Sequence, residues 1–239
     1  MSRYFDSLNR ALREVAVVAV PRPAPPAHPA PSRTPRPLAS GYGDLREKLL
    51  TLANGRPLKM LVFAGCVGGE GCSQVVREFA ELLAGSGLNV LRIDADAHRR
   101  RGEASGADLV LALRPEPPPA IAVGAGCLTV LTSPAAIPDK ERLFRAPEFR
   151  AWLEAQRDLY DYVLLDAPPL LTVADGTLLG ALSDGLIIVA QSEATKNEAL
   201  TRARERLQRG EVHILGVVLN RARDPVPPIV RHYLSFFRE

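Results

Sequence analysis

Hydrophobic and polar positions follow two different rhythms along the chain, and the changes between them predict its elements. Short apolar runs with almost no polar alternation predict strands buried on both faces. They are LKMLVFAG, NVLRIDAD, CLTVLT, DYVLLDAPP, DGLIIVAQ and VHILGVVLN. Between them, apolar residues recur at helical spacing in GDLREKLLTLA, CSQVVREFAELLAGSG, APEFRAWLEAQRDLY and TKNEALTRARERLQRG. Buried strands separated by helices predict an α/β fold, a mostly parallel sheet with helices on both faces.

The amino-terminal part of the chain has a different pattern. In residues 1–20 apolar side chains recur close to helical spacing, which predicts a short amphipathic helix: Phe5, Leu8, Leu12, Val15 and Ala19. Residues 21–38 are rich in proline, which lacks an amide donor, so we expect an extended linker. Residues 39–239 then form the predicted α/β domain. The first helix is therefore tethered, either as a solvated tail or as a docking helix for a membrane protein or another subunit.

Composition narrows the class of protein. Of 239 residues, 46% are hydrophobic and 24% charged, as in a globular domain. No apolar run approaches the roughly 18–20 residues that cross a bilayer, so we expect a cytosolic chain. The net charge of +3 is spread along the sequence, which argues against a nucleic-acid partner. Three cysteines without metal-ligand spacing predict free thiols in a reducing compartment.

A glycine-rich loop, FAGCVGGEGCSQVV, joins the first predicted strand to a helix. Gly68, Gly69 and Gly71 let backbone N–H groups surround a phosphate, with a helix amino terminus behind them. A turn that only packs tightly is the alternative. The nucleotide-binding pattern is G-x-x-x-x-G-K-[ST], and its lysine position is occupied here by Cys72.

Three carboxylates follow buried strands. Asp94 and Asp96 end one strand, and Asp166 ends another. Each alone could cap the next helix. Ligands of parallel sheets bind at the carboxyl ends of the strands, where the glycine loop also lies. Together the three aspartates therefore predict a site that manages the Mg²⁺ and the attacking group of a nucleotide.

Four motifs in this order and spacing resemble the bacterial tyrosine kinases, which are cytoplasmic P-loop partners of chain-length regulators in exopolysaccharide and capsule export. The motifs are FAGCVGGEGCS, VLRIDADAHRR, YDYVLLDAPPLLTVADG and GVVLNRARD, and the resemblance runs from Tyr42 to Asp224. The MinD/ParA ATPases share the order more loosely, but their loop has a signature lysine where this chain has Val67. The resemblance implies a P-loop NTPase-like, Rossmann-like fold with ATP and Mg²⁺ as cofactors.

The resemblance also implies roles for single residues. The nucleotide-binding positions are Gly68, Gly69, Glu70, Gly71, Cys72, Ser73, Asn220 and Arg221, the last two near the base. The catalytic positions are Asp94, Asp96 and Asp166. The Mg²⁺ ligands are Ser73, Asp94 and Asp166.

The chain departs from the family's pattern in several motifs. Besides the missing loop lysine, Gly68 replaces a proline. The oligomerisation motif Glu-x-x-Arg-x-x-Arg has Ser40 and Gly43 at its first two key positions and keeps only Arg46. The carboxyl-terminal tyrosine cluster is reduced to Tyr233. We still expect a homo-oligomer, although the oligomerisation motif keeps only one of its three key residues.

Loss of the lysine has a calculable cost. A neutral thiol cannot replace a point charge on the phosphates, so binding should weaken by roughly ten- to a hundredfold. A helix amino terminus lowers the pKa of a thiol, and a thiolate at Cys72 would repel phosphate. The arginines of HRRRG, residues 98–102, are expected in a solvated loop. Cys66 and Cys72 could form a redox latch, but we expect two inert side chains, and we expect Trp152 in the core.

The sequence thus predicts a non-catalytic or weakly active kinase-like protein whose partner is an integral membrane chain-length regulator. It would be cytoplasmic and held at the inner membrane through that partner. One alternative is an active ATP-dependent tyrosine autokinase or ATPase in which arginines or a partner side chain replace the lysine. Another is a MinD/ParA-like positioning ATPase.

Overall fold

A computed structural model of the chain describes residues 41–53, 57–96, 107–108, 120–132 and 140–221. The predicted helix of residues 1–20, the linker of residues 21–38, the arginines of residues 98–102 and Tyr233 lie outside these ranges. The boundary of the domain at residue 39 therefore stays a prediction. None of the helices in the described ranges is long and apolar enough to cross a membrane.

In the described ranges, eight strands form one sheet at the centre of the domain. Its strands are β1 (Met60–Gly65), β2 (Asn89–Asp94), β3 (Ala107–Asp108), β4 (Ala120–Val123), β5 (Gly126–Thr132), β6 (Tyr162–Ala167), β7 (Gly185–Gln191) and β8 (Ile214–Asn220). Their order is β3-β5-β2-β6-β1-β7-β8, and β4 pairs with β5 at one side. The β4–β5 pair is antiparallel, and every other pair is parallel. The predicted mostly parallel sheet is confirmed.

Helices cover both faces of the sheet. They are α1 (Gly41–Leu52), α2 (Cys72–Gly85), α3 (Lys140–Arg145), α4 (Pro147–Leu159), α5 (Asp175–Ala181) and α6 (Asn197–Arg209). On one face α1 and α2 pack around Phe63 and Phe79. On the other face α3 to α6 contribute side chains to a second core, which includes the stacked rings of Phe149 and Trp152. Trp152 is buried in this core, as predicted.

The elements with long patterns were predicted correctly, and the short ones were not. Six strands and four helices lie where the apolar runs and the helical spacing placed them. The pattern did not predict β3, β4, α3 or α5, of two to seven residues each. Segments of this length carry too few apolar positions for a period to be recognised.

The order of the strands brings the predicted site together. β6 lies between β2 and β1, so the carboxyl ends of these three strands are neighbours. In the pairing of β2 with β6, Asp94 stands opposite Asp166. In the pairing of β1 with β6, Ala64 stands opposite Ala167, just before the glycine loop. Two carboxylates and the loop therefore meet at one edge of the sheet.

Candidate functional site

The glycine loop runs from the end of β1 to the start of α2 with three glycines in left-handed backbone conformations. Gly68, Gly69 and Gly71 have φ angles of 105°, 88° and 82°. At Gly71, which precedes α2, a β-carbon would also collide with the side-chain amide of Asn220. Both reasons restrict this position to glycine. The tight turn needed for a phosphate cradle is therefore present.

Glu70 braces the first half of this loop. Its Oε1 accepts hydrogen bonds from the N–H groups of Cys66 at 3.0 Å and Val67 at 2.8 Å, and its Oε2 accepts one from Gly68 at 2.7 Å. The side chain is buried, and its carboxylate lies 2.6 Å from the point where a β-carbon on Gly65 would stand. A buried carboxylate thus accepts three hydrogen bonds from backbone N–H groups of the loop.

The second half of the loop is left free to bind an anion. Among the hydrogen bonds of the described residues, none uses the N–H groups of residues 69–73. Asn220, the last residue of β8, donates from Nδ2 to the carbonyl oxygen of Glu70 at 2.9 Å and so fastens the loop from the side. Consecutive unpaired N–H groups at a helix amino terminus are the donors that phosphate binds.

Asp166 is the buried carboxylate beside the loop. Ser73 and Cys72 both donate hydrogen bonds to it, and both bonds lower its pKa. Burial and the nearby charge of Asp94 outweigh them, so the pKa of Asp166 rises to about 7. Its Oδ1 is buried and has no hydrogen-bond partner among the described residues. This oxygen is available to a cation.

The pKa of the Cys72 thiol is raised, whereas its position at a helix amino terminus predicted a lowered pKa. Burial raises the pKa of Cys72 well above its ordinary value, and the charge of Asp166 and a hydrogen bond to it add to the shift. Glu70 and Asp96 act in the same direction. The expected lowering of this pKa by the helix amino terminus is therefore wrong, because burial and three nearby carboxylates raise it. The lysine position holds a neutral thiol.

A redox latch between Cys66 and Cys72 is disfavoured on the same grounds. Burial raises the pKa of Cys66 to about 11, and the charge of Glu70 adds to the shift. Both residues are free thiols. Because the thiolate is the reactive form, two thiols with raised pKa values are poor nucleophiles. The prediction of two inert side chains agrees with these surroundings.

The loop and the strand ends enclose a cleft of about 140 Å³. Its charged lining consists of Glu70, Asp96, Asp166 and Arg221. Asp96 follows β2, and its N–H donates to Oδ1 of Asp94 at 3.2 Å. Three acidic side chains and one basic side chain make an acidic site, in which an unneutralised polyphosphate would meet repulsion.

The residues present fit the phosphates of ATP better than they fit an isolated metal ion. The described residues contain no group of three His, Cys, Asp or Glu side chains that could hold a metal. Mg²⁺ is usually held by one or two carboxylates together with substrate phosphates. Ser73, Asp94 and Asp166 would therefore hold it only when phosphates complete its coordination.

All the site residues predicted from the sequence lie at this edge of the sheet, although their roles stay predictions. Sequence reasoning missed Gln191, the last residue of β7, whose Oε1 accepts a hydrogen bond from Nη1 of Arg221 at 3.1 Å. It also missed Arg92, a half-buried residue of β2, whose pKa is lowered by burial although the nearby charges of Asp94 and Asp166 oppose the shift. A polar residue ending or interrupting an apolar strand was the signal for both.

Comparisons with known proteins show what the chain as a whole is similar to. No family model matches the chain. Tyrosine-protein kinase YwqD of Bacillus subtilis is 28% identical over 187 residues, 75% of this chain and 79% of the relative. Tyrosine-protein kinase CpsD of Streptococcus agalactiae is 26% identical over 182 residues, 72% of this chain and 80% of the relative. The kinase domain of Escherichia coli tyrosine kinase Etk superposes with a TM-score of 0.66 at 23% identity, covering 95% of this chain and 91% of that one.

Homologues of the chain are thus bacterial tyrosine-protein kinases, and the resemblance seen in its four motifs is confirmed. The structural match also confirms the P-loop NTPase-like fold class.

Proposed function

We propose that the chain is a non-catalytic or weakly active, tyrosine-kinase-like partner of a membrane chain-length regulator in exopolysaccharide biosynthesis and export. The observation that carries the proposal is the state of Cys72. A neutral thiol, hydrogen-bonded to Asp166, stands where the loop lysine would contact the phosphates. Homology with tyrosine-protein kinases supports the kinase-like part of the proposal.

Weak use of ATP and Mg²⁺ follows from the charges of the cleft. The missing lysine removes a charge that acts on the β- and γ-phosphates in the ground state and in the transition state. Transfer should suffer more than binding, because the lysine stabilises charge that develops during the reaction. The carboxylates of Glu70, Asp96 and Asp166 add repulsion that a bound cation would reduce.

The partner would be engaged by the amino-terminal segment and not by the cleft. A helix as short as residues 1–20 is marginal alone in water, so it should gain order from a surface on which it docks. A polyproline-like linker of residues 21–38 would reach on the order of 50 Å at about 3.1 Å per residue. This reach would let the chain act at the inner membrane through its partner while the α/β domain stays free.

Phosphorylation gives a direct test. Incubation of the purified chain with Mg-ATP should produce no ladder of phosphotyrosine species, because the uncharged side chain of Cys72 stands at the lysine position of the loop. Intact-mass spectrometry and a phosphotyrosine immunoblot would measure it. Robust phosphorylation that is lost in Asp94→Asn would overturn the proposal.

Deletion of residues 1–20 tests the tethered-partner part. Association with a membrane protein and function in cells should be abolished, while the circular dichroism spectrum and the melting temperature of the α/β domain stay unchanged. Cys72→Ala, the matched change in the cleft, should be nearly silent in the same assays. A harmless deletion combined with an inactive Cys72→Ala variant would show that the cleft carries the function.

A second function is favoured by one specific observation. The loop keeps the backbone geometry of a phosphate cradle, with unpaired N–H groups at residues 69–73 among the described residues. This geometry favours an active ATP-dependent tyrosine autokinase or ATPase with a non-standard P-loop. The phosphorylation test separates the two functions.

A further inference from the structure

We infer that Arg221 supplies the positive charge that a loop lysine would place on the phosphates of a bound polyphosphate such as Mg-ATP. The inference rests on the proposed function in one respect, that the cleft keeps weak affinity for polyphosphates. It does not depend on whether the chain transfers a phosphoryl group.

The first step concerns charge. Arg221 is the one cationic side chain among the described residues that line the cleft, and it faces a lining with three carboxylates. Arginine side chains stay charged in proteins and offer five N–H donors in a planar fork. Phosphate oxygens are good acceptors for that fork. A polyphosphate in this cleft therefore finds its protein counter-charge at Arg221.

The second step concerns position. Arg221 follows β8 directly, with a φ of 54°, and its N–H donates to Oδ1 of Asn220 at 2.9 Å. Its Nη1 is held by Gln191 at 3.1 Å. Its Nη2 lies 3.8 Å from the point where a β-carbon on Gly71 would stand. The guanidinium of this exposed residue is thus held by one side-chain hydrogen bond and lies close to the amino terminus of α2.

The cleft also contains polar atoms that have no hydrogen-bond partner among the described residues. Asp166 is only 3% exposed, lines the cleft, and has an Oδ1 without a hydrogen-bond partner in the described part of the chain. On the other side, the N–H groups of residues 69–73 have no acceptor among the described residues. A magnesium polyphosphate matches both, because its oxygens accept from N–H groups and its cation suits a carboxylate.

The alternative for Arg221 is the contact near the base that the family resemblance implies. The two roles differ in what they need from the ligand. A contact to the base requires the nucleoside, whereas a contact to the phosphates survives in a ligand that has none. Magnesium tripolyphosphate is therefore the discriminating probe, with Mg-ATP beside it.

The experiment is a double-mutant cycle on the full chain. Binding of magnesium tripolyphosphate and of Mg-ATP is measured by calorimetry or ligand-observed NMR for the wild type, Arg221→Gln, Cys72→Lys and the double variant. Arg221→Gln should weaken both ligands by roughly tenfold in the wild type. In the Cys72→Lys background the loss should be less than threefold, because a lysine already supplies the charge.

Two further variants serve as controls for this experiment. Arg221→Lys should keep most of the affinity, since a point charge suffices for phosphate. Arg204→Gln removes an exposed arginine on α6, away from the cleft lining, and should change neither affinity. Melting temperatures of all variants check that the domain stays folded.

The outcomes that overturn the inference are specific. They are a loss confined to Mg-ATP, an equal loss in both backgrounds, or no binding of tripolyphosphate by the wild type at millimolar concentration. Tyrosine phosphorylation by the wild type would instead sink the proposed function and leave the inference about Arg221 standing.

Discussion

Cys72→Lys is expected to raise the affinity for Mg-ATP by roughly ten- to a hundredfold, from a wild-type dissociation constant no tighter than high micromolar. The loop already has the backbone conformation of a cradle, and the Glu70 carboxylate holds its first half through three hydrogen bonds. Adding the charge should therefore require no rearrangement of the loop. The new ammonium group would also relieve the repulsion from Asp166 and Asp96.

Charge and size can be separated in this experiment. Cys72→Gln adds length without charge, and we expect it to leave the affinity within threefold of the wild type. Calorimetric titration of Mg-ATP compares the three proteins. Sub-micromolar binding by the wild type, or equal affinities of the lysine and glutamine variants, would contradict the assignment of the weak affinity to the missing charge.

Glu70→Gln is expected to destabilise the domain by about 2–4 kcal/mol, although the two side chains have nearly the same shape. The carboxylate accepts three backbone hydrogen bonds in a buried position. An amide keeps one oxygen and turns an NH₂ donor toward the remaining N–H. A buried donor that loses its acceptor costs about 1–3 kcal/mol, and bonds to a charged acceptor are the stronger kind.

Thermal unfolding measures this effect. For a domain of this size the melting temperature should fall by roughly 5–15 °C. Glu205→Gln is the matched control, because Glu205 is 56% exposed and its ion pair with Arg209 on the same helix is long, at 3.9 Å. We expect less than about 0.5 kcal/mol from the control. A Glu70→Gln variant as stable as this control would show that the loop does not depend on the carboxylate.

The location of the site could be predicted from the sequence because each part of it ends a recognisable pattern. Gly68, Gly69 and Gly71 follow an apolar run, and Asp94 and Asp166 end two others. In a parallel sheet the ends of such runs lie at one edge. The structure confirms that edge through the register of Asp94 opposite Asp166. The location of the site therefore follows from local pattern and from the geometry of parallel sheets.

The electrostatic state of the site could not be predicted in the same way. Local position at a helix amino terminus favours a thiolate at Cys72, yet the structure gives a neutral thiol. Burial is the largest cause, and the carboxylates that add to it come from other elements: Asp166 lies in β6, and Asp96 follows β2. The position of Arg221 beside Gly71 likewise depends on how β8 packs against the loop.

The sequence by itself therefore determined the sheet, its helices, the glycine loop and the cysteine at residue 72, because these depend on residue type and period along the chain. The tertiary structure alone decided the order of the strands, the protonation of Cys72 and the approach of Arg221 to the loop. The physical reason is that burial and charge act through distances between elements. Those distances are set when β8, β6 and α2 pack together and are not encoded in any local pattern.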